Sequence, residues 1–287
     1  MAEPTVVTTI AEVRSVLDDH RAAGRAVGFV PTMGFLHEGH RSLMDAAVAA
    51  NDVTIVSVFV NPLQFAPGED LESYPRDLEH DTAVCADAGV DLVFIPSVDE
   101  MYPRRVETVV SVPAVAAPLE GAARPEHFAG VATVVAKLFS IVGRCRAYFG
   151  AKDWQQVAVV TRMAADLSMP VEVVACPIVR EPDGLAMSSR NVYLTPDERA
   201  QAVVLRHALD AGLAAIAEGR TDPSDIEARM AEVVATAPLA ELDYVAAVPA
   251  DTLVADGPLH GDVRLLLAVR FGRARLIDND GVMVPSA

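Results

Sequence analysis

Two of the seven histidines, His37 and His40, stand three residues apart in VPTMGFLHEGHR, directly after an apolar run that reads as a strand. If both sit in the first turn of a helix, this spacing puts the imidazoles on a common face. The unsatisfied N–H groups of a helix start favour anions, and two imidazoles add donors for phosphate oxygens. On these residues alone a metal pair or an ordinary cap stays open, although zinc would want HExxH spacing and a third ligand. Gly34 and Gly39 permit close backbone approach to a ligand, and Met33 reads as packing.

Four further segments carry chemistry-bearing side chains. FVNPLQF places Asn61 and Gln64 beyond a buried strand, where open α/β sheets form their ligand crevice. Gln64 can donate and accept, which suits a small hydroxylated acid, or it closes a strand–loop junction as a polar cap. In YFGAKDWQQ, Gly150 precedes Lys152, Asp153, Gln155 and Gln156: a cation for phosphate, an acceptor for ribose or main chain, and two orienting amides, or else a charged helix start. Trp154 there reads as a packing anchor rather than a base-stacking platform. Ser188, Ser189 and Arg190 match phosphate oxygens geometrically, with a structural loop and a base-activated serine as alternatives. His127 in RPEHFAG reads as a local hydrogen-bonding group that could join a pocket. Asp77 and Asp81 share a helix side and could approach Mg²⁺, although a solvated acidic face is the plainer reading.

These groups must be held by alternating elements. A helix is expected over 11–23, a strand at AVGFV, a helix from SLMDAAVAA, and a strand at VTIVSVFV whose continuous apolar run suits a parallel sheet covered on both faces. An acidic helix around 75–88, a strand at VDLVFIP, a polar and proline-bearing segment to about 125, and a helix over 130–142 follow. The strand AYFG, a helix over 152–167 and the strand VEVVACPIV complete a doubly wound α/β unit. From 195 the pattern changes: Thr195, Pro196 and Glu198 make a capping-box start, and Asp222 with Pro223 makes a second. LDYVAAV, VRLLLAVRF and ARLIDN read as strands of a smaller α+β unit, with the boundary near 184–194.

Forty acidic against twenty-three basic side chains, a formal charge of -17, leave no cationic excess for a general nucleic-acid surface. An anionic substrate would need a local positive pocket. Cys85, Cys145 and Cys176 are odd in number, widely spaced and set in apolar patterns, as reduced core thiols are. No run reaches the roughly 18 apolar residues of a membrane span, and the N-terminus lacks a cationic region followed by a long apolar one. A cytoplasmic protein is expected. Neither a Walker A sequence nor GxGxxG is present, so a bound nucleotide must be held in another way.

Taken together, PTMGFLHEGH, FVNPLQF, RPEHFAGV, FGAKDWQQ and GLAMSSRNVYL resemble the pantothenate synthetase (pantoate-beta-alanine ligase) family, and the likeness continues through RLLLAVRFGRARLIDN. The HxGH signature alone is shared with a wider group of nucleotidyltransferases. The resemblance implies a Rossmann-like doubly wound parallel sheet with a smaller C-terminal α+β domain. It divides the chain into a nucleotide- and pantoate-binding domain, 1–187, and a domain closing the active site, 188–287, in a homodimer. It implies ATP as a substrate with Mg²⁺, and a reaction in which pantoate and ATP form pantoyl adenylate and pyrophosphate before beta-alanine displaces AMP.

By the same resemblance His37 and His40 contact ATP phosphates, and His40 with Lys152 stabilises charge during adenylyl transfer. Ser188, Ser189 and Arg190 form a second phosphate-binding segment, Gln64 and Gln156 orient pantoate with Asn61 beside them, and Asp153 meets the ribose. Met33 lines the substrate pocket, His127 sits near the adenylate, and Pro31, Gly39, Gly150 and Met187 border the nucleotide. Asp81 is the implied metal contact, and a segment around 65–76 is expected to close. Three positions depart from the usual pattern: Phe35 for alanine, Ala151 for glutamate and Trp154 for tyrosine. The rival readings are another HxGH nucleotidyltransferase acting on a phosphate-containing substrate, and a metabolite sensor, which would bind without turnover.

Overall fold

The apolar run at 53–58 forms a strand buried along its whole length, as a strand between two helical layers must be. The computed structural model describes residues 3–65, 71 and 74–285. Most of the segment expected to close over the site, residues 66–70, 72 and 73, lies outside the described residues. The strands are β1 (Thr5–Val7), β2 (Val27–Thr32), β3 (Val53–Val58), β4 (Leu92–Phe94), β5 (Cys145–Gly150), β6 (Val171–Cys176), β7 (Glu241–Pro249), β8 (Gly261–Phe271) and β9 (Ala274–Val284). The longer helices are α1 (Ile10–Ala22), α2 (Glu38–Ala50) and α3 (Leu78–Ala88), and, after three single-turn helices α4 (Val98–Met101), α5 (Pro113–Ala116) and α6 (Glu120–Ala123), α7 (His127–Val142) and α8 (Trp154–Asp166). α9 (Pro196–Ala202), α10 (Val204–Ala217) and α11 (Pro223–Val234) follow.

Contacts divide the chain into two compact units: Met1–Gly150 with Val159–Cys176, and Ala151–Ala158 with Pro177–Ala287. In the first, six parallel strands run in the order β1-β4-β3-β2-β5-β6. The chain winds outward from β2 through β3 to β4, then starts again at β5 on the other side of β2. The order therefore reverses between β2 and β5, the place where open α/β sheets leave a crevice beyond their strand ends. On one face α2 and α3 pack Leu43, Met44, Ala47 and Cys85 against Val30, Val56 and Val93. On the other, Phe139 of α7 meets Phe29 of β2 and Phe149 of β5 edge to face.

In the second unit β7, β8 and β9 form an antiparallel sheet in sequence order. α10 and α11 cover it through Leu205, Leu209, Ile226 and Met230, packed with Leu265, Leu267 and Val269. The stretch Pro196–Ala217 is long and apolar enough by composition to cross a membrane. Its buried side chains lie in this core. The capping box of Thr195 and Glu198 forms as its spacing predicts, and so does the Asp222 cap.

The units part at 176/177, ahead of the expected 187/188. Residues 177–187 join the second unit because Arg180 pairs with Asp278 and Leu185 enters its core. Residues 151–158 join it because Asn279 and Ala250 take up the main chain of Ala151 and Lys152 and the indole of Trp154.

Candidate active site

In the first unit the loop leaving β2 is braced from several sides. Thr32 donates its hydroxyl to Ser57 O (2.8 Å) and accepts from Gly34 N (3.2 Å). Gly34 and Phe35 both have positive φ, 85° and 52°. A Cβ on Gly34 would come within 2.7 Å of Asp81 Oδ2, so both conformation and space require glycine there. Asp81 reaches up from the first turn of α3, buried, with Oδ2 accepting from Phe35 N (3.0 Å) and Oδ1 from Leu36 N (2.8 Å). His80 Nε2 lies 3.1 Å from Leu36 O on the same stretch.

The loop delivers His37 as the N-cap of α2 in an extended conformation, φ −139° and ψ 178°. The two histidines therefore do not share a helical turn, as their spacing suggests; His37 caps the helix and His40 is its third residue. A reciprocal capping box brings them together instead. His37 Nδ1 accepts from Gly39 N (3.1 Å), His40 Nδ1 accepts from His37 N (3.3 Å), and the ring centroids are 4.2 Å apart. A main-chain N–H can only donate, so both Nδ1 atoms are acceptors and the neutral rings carry their protons on Nε2. A Cβ on Gly39 would lie 2.8 Å from His37 Cε1 and 3.0 Å from its Nδ1, so glycine between the histidines is what lets the first ring fold over the helix start.

Gln64 closes a 3-10 turn, Pro62–Gln64, and its amide Nε2 donates to Met33 Sδ on the histidine loop. Asn61, buried, holds that turn from below. Its Nδ2 donates to Gln64 Oε1 and to Gly130 O, both at 3.2 Å, and its Oδ1 accepts from Leu63 N (3.3 Å) and the Tyr102 hydroxyl (2.9 Å). An asparagine side chain can make four such bonds, and Asn61 makes all four inside the protein. Burial pushes the Tyr102 phenol up to about 12, which keeps it a donor. His127 Nδ1 lies 3.1 Å from Gln64 O, and its Nε2 lies 3.3 Å from Arg124 Nη1. Since arginine only donates, Nε2 accepts and Nδ1 carries the proton to the Gln64 carbonyl.

In the second unit Lys152 and Asp153 lie in the turn Ala151–Asp153 that opens α8, with Lys152 Nζ 3.6 Å from Asp153 Oδ1. Asn279 donates to the carbonyls of Ala151 and Lys152, 2.9 Å each. Trp154 is an anchor: its indole N–H donates to Ala250 O (2.8 Å) and the Arg264 guanidinium lies 3.5 Å over its ring. Gln155 is buried and Gln156 half-buried. Met187 N donates to Val179 O, and Ser188 Oγ accepts from Arg190 N (3.2 Å), capping the turn Ser189–Tyr193 and leaving Ser189 and Arg190 exposed.

Pro31, Met33, His37, Gly39 and His40 thus belong to one strand end, the loop after it and the first turn of α2, and Gln64, Asn61 and His127 to one cluster touching that loop through Met33. Gly150 ends β5, and a Cβ on it would meet nothing within 4 Å. Two expectations change. Asn61 faces no substrate with a spare group; it fixes Gln64. Asp81 accepts one main-chain N–H of the histidine loop on each oxygen, so it serves first to hold that loop, and among the described residues no group of three or more His, Cys, Asp or Glu could hold a metal ion. Reading the sequence missed Tyr102, Arg124, Gly130 and Asn279. The stretch from Arg124 to Gly130, RPEHFAG, contains two of them, and its glycine inside an apolar helix pattern was the available signal of close backbone approach.

A sequence model of the pantoate-beta-alanine ligase family matches residues 5–281. A pantothenate synthetase from Sinorhizobium medicae is 54% identical over 282 residues, 98% of this chain and 97% of that protein. A pantothenate synthetase structure from Thermus thermophilus superposes with a TM-score of 0.88 at 49% identity, covering 98% of this chain and 99% of that one. A Francisella tularensis pantoate-beta-alanine ligase, complexed with beta-gamma ATP and beta-alanine, superposes with a TM-score of 0.76 at 33% identity, covering 96% and 97%.

Proposed function

Because the chain belongs to the pantoate-beta-alanine ligase family, it joins pantoate to beta-alanine with ATP to give pantothenate, AMP and pyrophosphate, and we propose that it does so through pantoyl adenylate. A carboxylate is a poor acyl donor because direct amine attack would have to expel oxide. Attack of a pantoate carboxylate oxygen on the α-phosphorus of ATP breaks the bond to the bridging oxygen and releases pyrophosphate. The neutral amine of beta-alanine then adds to the acyl carbon, AMP leaves, and the amine gives up a proton. The first step asks for alignment and charge stabilisation more than for a protein nucleophile.

The observation that carries the residue assignment is the imidazole pair at the start of α2, with both Nδ1 atoms committed to main-chain N–H groups. Two fixed Nε2–H donors beside helix amides form an anion cradle, and we assign His37 and His40 to ATP phosphates. Lys152 is assigned to the charge that develops as pyrophosphate departs, with Ser188, Ser189 and Arg190 as a second phosphate-binding segment. Asp153 is assigned to the ribose, and Pro31, Gly39, Gly150 and Met187 to the nucleotide's borders. Gln64 and Gln156 orient pantoate, Met33 lines its pocket, and His127 acts through the Gln64 main chain. Mg²⁺ would enter as the companion of ATP, held largely by phosphate oxygens and water, in keeping with the ion's habit of retaining water and using substrate phosphates with one or two carboxylates. The residues described supply no metal cage, and no step here runs through the ion. Three free buried thiols support a reducing, cytoplasmic setting, and a homodimer is the assembly proposed, to be checked by sedimentation.

Mass spectrometry of ATP, Mg²⁺ and pantoate with enzyme tests the reading. Pantoyl adenylate and pyrophosphate are expected without beta-alanine, and pantothenate once it is added. If ATP stays intact until the amine is present, the adenylate route is wrong. A folded Lys152→Ala protein with full pantoate-dependent ATP–pyrophosphate exchange would remove Lys152 from the chemistry.

A further inference from the structure

We propose that Asn279, at the far end of the chain in β9, is a positioning residue for adenylation, fixing the turn from which Lys152 projects. This rests on the assignment of Lys152 to the departing pyrophosphate. Asn279 is 1% exposed. Its two amide hydrogens go to successive carbonyls, Ala151 O and Lys152 O, at 2.9 Å each. Its Oδ1 accepts from Arg264 Nη1 at 3.2 Å. Arginine has no acceptor, so the oxygen must face the guanidinium and the NH₂ must face the turn; the amide has one orientation.

Every support of Asn279 is itself held. The Arg264 guanidinium lies on the face of Trp154, 3.5 Å from the ring centroid, and the indole is bonded to Ala250 O. Gly281 makes room for that guanidinium, since a Cβ there would come within 2.7 Å of Arg264 Cζ. The Asn279 main chain is pinned at both ends: its N–H donates to Asp278 Oδ1 (2.8 Å) and its carbonyl accepts from Arg180 Nη2 (3.3 Å). Asp278 and Arg180 form a two-point ion pair at 2.7 and 3.0 Å, with the carboxylate buried.

A lysine side chain is a flexible stem, so the place of its ammonium depends on the backbone that bears it. The turn Ala151–Asp153 is a 3-10 segment of three residues, whose own hydrogen-bond geometry is poor. Two directed bonds from a buried, immobile amide give that turn the rigidity it does not have by itself. Asn279 touches no reacting atom in this account; it acts through Lys152.

The test is pantoate-dependent ATP–pyrophosphate exchange by the full chain carrying Asn279→Ala, Lys152→Ala or both. Emission from Trp154, the only tryptophan, reports whether the region around it is folded. Asn279→Ala is expected to lower the exchange kcat by up to about 100-fold, the order of loss produced by misplacing a catalytic group by about 1 Å, with KM for pantoate unchanged. In the Lys152→Ala background it should remove nothing further. Asn279→Asp, which keeps the shape but turns acceptors on both carbonyls, should be no better than alanine; a packing role would tolerate it. If the alanine variant fails to fold, Asn279→Ser, which keeps one donor, carries the same comparison with a smaller loss. Undiminished exchange by Lys152→Ala would overturn the lysine assignment. A loss on Lys152→Ala, combined with a folded Asn279 variant at wild-type rate or with losses that multiply in the double variant, would overturn the role given to Asn279.

Discussion

Gly130→Ala sets two effects of opposite sign against each other at one atom. In an exposed helix interior the change would stabilise by about 1 kcal/mol, because alanine is the better helix former. In α7 the new Cβ would lie 2.2 Å from Leu63 O, whereas ordinary contact starts at 3.4 Å, so helix and turn must separate by about 1.2 Å. The obstacle is main chain, so no rotamer change relieves it. Separation pulls Gly130 O away from Asn61 Nδ2 and Gln64 O away from His127 Nδ1. Overpacking costs roughly 1–3 kcal/mol and a buried hydrogen bond about 1 kcal/mol more. The balance is destabilising by about 1–3 kcal/mol, a fall of several degrees in melting temperature at about 2–4 °C per kcal/mol. Gln64 moves with its turn, and a displacement near 1 Å can cost about 100-fold in rate. Thermal melting and pantoate-dependent exchange at varied pantoate check both halves, with a raised KM expected beside the lowered rate. A variant that melts at or above wild type with an unchanged KM for pantoate would refute the reasoning.

Asp81→Asn turns an NH₂ group toward one of two main-chain donors; the loss should be about 1–3 kcal/mol in stability, with slower exchange and an unchanged Mg²⁺ requirement. A sharply raised Mg²⁺ requirement at unaltered stability would restore Asp81 as a metal ligand. Removing Mg²⁺ with a chelator should stop exchange without moving the melting temperature of the ligand-free chain, and a fall in melting temperature would reveal a structural metal. Burial pushes the Cys85 and Cys145 thiols up to about 12 and raises Cys176 as well. A raised pKa disfavours the thiolate, so at about pH 8 roughly one Cys85 or Cys145 in 10⁴ is reactive. Native protein should resist a thiol reagent that labels all three cysteines after unfolding; prompt labelling of the native chain would contradict this.

What could be read in the sequence was what neighbouring residues decide among themselves. The run at 53–58 reads as a doubly covered strand because both of its faces are apolar, and Thr195 and Glu198 specify a helix start at a distance of three residues. β1 escaped because three residues carry no periodicity; it exists through its pairing with β4, about 87 positions away. The unit boundary escaped for the same reason, since Asn279, Ala250 and Asp278 claim residues about a hundred positions earlier. His37 and His40 were legible as partners but not in their geometry. Helical spacing describes two residues inside a helix, and capping requires His37 to stay outside it. Asn61 and Asp81 were legible as polar groups in the right neighbourhood; that they bond Gly130, Tyr102 and the loop amides only the folded chain reveals.

The choice of side chains that brace the proposed site follows from what the site must receive. A triphosphate brings several negative charges to a chain whose own balance is already -17. A carboxylate holding the Lys152 turn would add an anion close to its phosphate assignment, and one holding the Gln64 turn would add an anion close to the pantoate carboxylate; like charges there oppose binding. An amide does the same mechanical work without net charge, since it donates and accepts in fixed directions and, fully bonded, can be buried. Asn61 and Asn279 are both about 1% exposed and are bonded at both ends of the amide. Asp81 shows the condition under which a carboxylate can be used: each of its oxygens faces a main-chain N–H, so the local dipoles offset the charge. Asn61→Asp is therefore expected to weaken pantoate binding, and Asn279→Asp ATP binding, beyond the loss of their hydrogen bonds. That additional part should shrink as ionic strength rises, whereas the corresponding alanine variants should show no such salt dependence.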